Sequence, residues 1–108
     1  VNLTVLDLGM NRIRSIQGLE TLVNLTELWL GKNKIETITG IGHLTKLRRL
    51  DVQSNRLTRI EGIGTLSELE ELMLGHNGLK SLEGLGEHPK LITLDVTHNE
   101  IEELSHLE

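Results

Sequence analysis

The chain has no cysteine, no phenylalanine and no tyrosine, and only one tryptophan and one proline in 108 residues. Without cysteine it can hold no disulfide framework, which favours an intracellular address over a bridged secreted scaffold. With Trp29 as the sole aromatic ring, the interior must be built almost wholly from Leu, Ile and Val. No apolar run approaches the roughly 18 residues that a bilayer-spanning helix needs, and no signal peptide opens the chain, so it reads as soluble. A formal charge of -5, with no basic stripe, argues against a partner that offers phosphates and excludes nucleic acid as the expected ligand. The overall field favours a basic protein partner instead.

What is present is a strict internal repeat. Asn11, Asn33, Asn55, Asn77 and Asn99 recur every 22 residues. Each follows the same apolar frame: Leu6 and Leu8, Leu28 and Leu30, Leu50 and Val52, Leu72 and Leu74, Leu94 and Val96. A second frame follows each Asn, as Ile13/Ile16, Ile35/Ile38, Leu57/Ile60, Leu79/Leu82 and Ile101/Leu104. Four units then continue with Gly18-Leu19, Gly40-Ile41, Gly62-Ile63 and Gly84-Leu85. Five coincident registers give the consensus LxxLxLxxNxIxxIxGLxxLxx. They divide the single domain 1–108 into units of about 3–24, 25–46, 47–68, 69–90 and 91–108.

The spacing predicts geometry. In LxL the two aliphatics lie two apart, so a strand points both inward and presents the residue between them on the opposite face. Successive short strands should stack in parallel about 4.8 Å apart. The Asn amides, able to donate and accept, suit a column that satisfies buried turns. In IxxIxGL the apolar residues lie three apart, as expected of short 3₁₀ turns with Gly at the bend. The expected class is therefore an α/β repeat: a right-handed, curved horseshoe solenoid with a parallel sheet on its concave face and short 3₁₀ turns on its convex face. His88 replaces the Leu of earlier units and precedes Pro89, which predicts a looser, partly exposed turn there. No polar cover is visible at either end, so an internal segment of a longer array is expected.

If the leucines face inward, the concave surface is written by their neighbours. Its central column is Asp7, Trp29, Asp51, Met73 and Asp95, flanked by Val5, Glu27, Arg49, Glu71 and Thr93 and by Gly9, Gly31, Gln53, Gly75 and Thr97. Five carboxylates meet only Arg49 there, so the groove is acidic. Trp29, forced out of the core by strand alternation, is the leading contact residue, because tryptophan is enriched among binding hot spots. Met73 could extend an apolar strip. Catalysis is not expected: a regular sheet offers no deep pocket, and no P-loop, dinucleotide fingerprint or Ser-His-Asp grouping is present. His76 and His98 should be neighbours, but a third metal ligand is not evident, so neither metal nor cofactor is expected. His43, His88 and His106 read as exposed turn residues. Arg12, Arg14, Lys32, Lys34, Arg56 and Arg59 gather just after the strands, as solvated charge or a second contact edge.

The segments LWLGKNKI, QSNRLTRIEGI and LGHNGLKSLEGL identify leucine-rich repeats. Over the whole chain they resemble the family of the leucine-rich regulatory subunit 7 of type-1 protein serine/threonine phosphatase. The resemblance implies a noncatalytic regulator, nuclear and cytoplasmic, that grips the phosphatase catalytic subunit through its concave face as a monomer within a larger complex. Carried over by position, it points to Asp7, Trp29 and Asp95; Asp51 and Met73 share the column without that support. Related 22-residue units occur in the leucine-rich light chain of axonemal dynein and other ciliary proteins, which makes a structural scaffold the alternative. Bacterial internalins also carry them, usually with Pro where this chain has Gly18, Gly40, Gly62 and Gly84, and so resemble it less.

Overall fold

The computed structural model describes residues 2–102. Each repeat contributes one three-residue strand: β1 (Val5–Asp7), β2 (Glu27–Trp29), β3 (Arg49–Asp51), β4 (Glu71–Met73) and β5 (Thr93–Asp95). They form one parallel sheet in chain order, each strand paired with the next in a register of 22 residues, so Leu6, Leu28, Leu50, Leu72 and Leu94 lie in a single row. The described residues measure 41 × 31 × 18 Å. Successive strands in such a parallel sheet are about 4.8 Å apart, so each 22-residue turn stacks closely on the last.

The spine is aliphatic. Leu28, Leu30, Leu50, Val52, Leu72 and Leu74 are all buried, as are the return-side residues Ile35, Ile38, Leu57, Ile60, Leu79 and Leu82. Leu25, Leu47 and Leu69, the first leucines of their units, are wholly buried too. Burial is only partial at Leu6, Leu8 and Ile13 in the first repeat and at Leu91, Leu94, Val96 and Ile101 in the last. Branched aliphatics fill this spine at the packing density of a protein interior.

The asparagines run along the turns that follow the strands. The amide of Asn55 donates to the carbonyls of Leu30 and Val52, both at 3.0 Å, and its Oδ1 accepts from the backbone N–H of Ile35, also at 3.0 Å. Asn33, Asn77 and Asn99 repeat that pattern with the carbonyl pairs Leu8/Leu30, Val52/Leu74 and Leu74/Val96 and with the N–H groups of Ile13, Leu57 and Leu79. Each side chain thereby ties its own turn to the one before. Asn11 is exposed and donates only within its own repeat, to Leu8 and Gly9.

Among the described residues there is no helix. The return side carries single turns closed by i→i+3 bonds, such as Leu44 N–H to Ile41 and Leu47 N–H to Leu44. The reason lies in the glycines. Gly18, Gly40, Gly62 and Gly84 have φ between +73° and +92°, a left-handed geometry that interrupts any right-handed helix in each return segment.

The fourth return differs from expectation. His88 is half-buried, its Nε2 2.6 Å from the Leu85 carbonyl and its Nδ1 3.2 Å from the Leu66 carbonyl; the single N–H of a neutral ring donates to one of the two. In the preceding repeats the carbonyls of Leu19, Ile41 and Ile63 accept the backbone N–H of Leu22, Leu44 and Leu66. The imidazole reaches back to do that work, so the turn is pinned rather than loose. His43 is similarly tied, with Nε2 2.9 Å from the Leu19 carbonyl. His106 and Leu104 lie outside the described residues.

Candidate protein-binding surface

The strand register sets the outward face. Val5, Glu27, Arg49, Glu71 and Thr93 align in one row and Asp7, Trp29, Asp51, Met73 and Asp95 in the next, with the buried leucine row between them pointing to the other side. The sequence-predicted surface residues are therefore brought together on one side of the sheet. Trp29 is half-buried, and its indole Nε1–H donates to Glu27 Oε1 at 3.2 Å. That bond draws the ring along its own strand, over residue 27, and limits the orientations it must give up on binding.

The charges are more organised than composition implied. Arg49 bridges the carboxylates on either side of it, with Nε 2.6 Å from Glu71 and Nη1 3.6 Å from Glu27. Two of the five acids are thus engaged in a row of alternating sign. Beyond the row, Arg48–Glu70 and Lys90–Glu68 form further inter-repeat pairs at 2.8 and 2.9 Å. These pairs are exposed and screened by solvent, so they add little to stability. Among the described residues, Asp7, Asp51 and Asp95 on this face form no ion pair.

Those three aspartates share a local device that sequence reasoning missed. Each accepts a hydrogen bond from the backbone N–H two residues on: Gly9 to Asp7 at 2.9 Å, Gln53 to Asp51 at 2.9 Å, Thr97 to Asp95 at 3.0 Å. The Gln53 and Thr97 donors face a side of the strand end where the previous repeat's carbonyl is already taken by an Asn amide, Leu30 by Asn55 and Leu74 by Asn99. Aspartate is short enough to supply the missing acceptor. The signal lay in the spacing, an Asp two residues before each such donor in alternate repeats.

Asp51 departs furthest from expectation. It was expected on the open groove, yet it is 8% exposed, because it lies between the bulky Trp29 and Met73 of the neighbouring strands and bends over onto Gln53. Burial pushes its carboxyl above the ordinary aspartate range; the Gln53 donors pull the other way, and Asp7 and Asp95 push it further up. Asp95 moves oppositely. The Thr97 N–H and hydroxyl, at 3.0 and 2.7 Å, hold it below that range, and His76 and His98 add to the effect.

The turn after each strand contains a second unanticipated row. Met10, Lys32, Ser54, His76 and His98 all have φ of 54–59°, a conformation costing about 1–2 kcal/mol for a residue with a Cβ. The stack imposes it: Met10, Lys32, Ser54 and His76 each donate a backbone N–H to the next repeat, to Gly31, Gln53, Gly75 and Thr97. It also sets His76 and His98 face to face, with ring centroids 4.1 Å apart and planes 15° from parallel. Among the described residues, no group of three or more His, Cys, Asp or Glu side chains is placed to hold a metal ion.

A wide flat coil with an aliphatic spine, an asparagine column and one exposed sheet face defines a repeat solenoid that presents a surface rather than a cavity. The chain belongs to the leucine-rich repeat family: the model for paired leucine-rich repeats matches residues 1–43, 45–87 and 67–108. Repeats of this family are generally protein–protein interaction modules. Among solved structures, internalin C2 from Listeria monocytogenes is 30% identical with a TM-score of 0.90, over 97% of this chain and 46% of that one. A leucine-rich repeat protein from Leptospira interrogans is 31% identical with a TM-score of 0.82, over 90% of this chain and 26% of that one. The chain thus spans less than half the length of either. Curated proteins yield no match. Glycine in place of proline at the return turns, which counted against internalins, does not separate the folds: the spine leucines decide the coil.

Proposed function

We propose that this chain is a noncatalytic protein-binding module that holds a basic surface of its partner against the outer face of its sheet, centred on Trp29. The observation that carries this reading is the row Asp7, Trp29, Asp51, Met73, Asp95, which puts one oriented indole among aspartates that form no ion pair among the described residues. A planar aromatic anchor rimmed by charge is the usual makeup of a hot spot. The rigid sheet needs no ordering to present it, so little entropy opposes docking.

Within that reading, the catalytic subunit of type-1 protein phosphatase is the partner that the sequence resemblance supplies, through Asp7, Trp29 and Asp95, and a nuclear and cytoplasmic address goes with it. Immobilised chain should bind the purified catalytic subunit saturably, and the double variant Trp29→Ala, Asp95→Ala should weaken that binding at least tenfold. Undiminished binding by the double variant would remove the sheet face from consideration. No binding by the parent chain would remove the phosphatase, and recovery of the protein from purified axonemes would then favour the scaffold role.

A further inference from the structure

Beside Trp29 the sheet face holds a shallow depression of about 180 Å³, walled by Asp7, Trp29, Asp51 and Gln53 and floored by Gly9 and Gly31. Its floor is open because neither glycine carries a side chain: a Cβ on Gly31 would lie 3.5 Å from Asp51 Oδ1, and one on Gly9 3.2 Å from Asp7 Oδ1. The indole that walls it is held by its Nε1–H bond to Glu27. Two carboxylates flank the depression on neighbouring strands, one to either side of Trp29. One of them, Asp51, is more than nine-tenths buried, and among the described residues no cation lies within ion-pair distance of it. Lys32 borders the depression but is exposed and makes no ion pair with either acid.

We infer that this depression is a receptor for one arginine side chain of the protein partner, its guanidinium lying against the Trp29 indole and hydrogen-bonded to Asp7 and Asp51. The inference rests on the sheet face being the docking surface, and it adds the chemistry of the central contact. A buried carboxylate lacking a counter-charge is costly, and a cation brought by the partner removes that cost. Guanidinium suits the place better than ammonium. It is planar, stacks on an aromatic face, sheds water more readily and offers donors in two directions, whereas ammonium is a compact, strongly hydrated point charge.

Trp29 is the only tryptophan and the chain has no tyrosine, so its fluorescence reports this place alone. The full chain should be titrated with a short blocked glycine peptide bearing one central arginine, and with counterparts bearing lysine or uncharged citrulline. Arginine should change the emission saturably, lysine should need at least threefold more peptide, and citrulline should leave it unchanged. Asp7→Asn with Asp51→Asn, which keeps an oxygen for the Gly9 and Gln53 N–H groups and so keeps the turns, should weaken the arginine response at least tenfold. An equal response to citrulline or lysine, or an unaltered response in the double variant, would overturn the receptor. Loss of partner binding in Trp29→Ala but not in Asp7→Asn, Asp51→Asn would overturn it while leaving the sheet face as the docking surface.

Discussion

Replacing Asn55 by alanine is the perturbation that the ladder makes quantitative. Its amide serves the carbonyls of Leu30, Val52 and Gln53, and its Oδ1 takes the N–H of Ile35. The carbonyls have reserves. Leu30 also receives Asn33, Val52 also receives Asn77, and Gln53 also receives the N–H of Lys32. Ile35 has no such second acceptor, and it is wholly buried. One stranded buried donor costs about 1–3 kcal/mol and the shared bonds add a fraction each, so Asn55→Ala should destabilise by about 2–4 kcal/mol. With a urea slope of about 1–3 kcal/mol per molar, the midpoint should fall by about 1–2 M at unchanged slope, followed by far-ultraviolet dichroism or Trp29 emission. Asn11→Ala is the internal control: it is exposed, Leu8 keeps the amide of Asn33, and the cost should stay below about 1 kcal/mol. Equal losses in the two variants would refute the reasoning, because they would mean that position in the ladder does not matter.

A β-carbon at Gly84 would collide with the Ile60 carbonyl oxygen, whereas one at Gly18 meets nothing within 4 Å; both glycines have positive φ. Gly18→Ala should therefore cost about 1–2 kcal/mol of backbone strain alone, and Gly84→Ala should lower the thermal midpoint distinctly further. The two shifted aspartates predict opposite pH behaviour. Asp95, depressed in the fold, contributes stability that is present above the unfolded aspartate pKa and is lost as pH falls through its lower folded value, so Asp95→Ala should destabilise at neutral pH and match the parent in strong acid. Asp51, raised in the fold, contributes stability that is present below the unfolded value and lost as pH rises through the folded one, so Asp51→Asn should melt no lower than the parent at neutral pH. Melting curves of both variants between acid and neutral pH check the two signs.

Which parts of the molecule could be read from the chain follows from how local their causes are. The row of Leu28, Leu50 and Leu72 and the outward turn of Trp29 follow from an alternation of two residues, which sets which face each side chain takes before any packing is considered. The spacing of the asparagines is equally local. The burial of Asp51 is not: it depends on Trp29 and Met73 standing on the strands to either side, and a repeat consensus treats those positions as variable. The left-handed row from Met10 to His98 was hidden for a related reason. No glycine marks it, and its residues from Met10 to His76 each tie their N–H to the next repeat. His88 looked like a defect because imidazole is polar in a leucine position; its value lies in a ring N–H placed beside carbonyls that leucine cannot serve. On the return side, three-residue spacing fits one tight turn as well as a helix, and the positive φ at the glycines selects the turn.

Collisional quenching of Trp29 by acrylamide, in the free chain and in the chain saturated with its protein partner, tests the docking surface most directly. The indole is half-exposed in the free chain, and its quenching should fall severalfold in the complex as the partner covers the sheet face. A complex that forms fully while Trp29 stays as accessible as before would contradict the assignment and move the contact to another side of the coil.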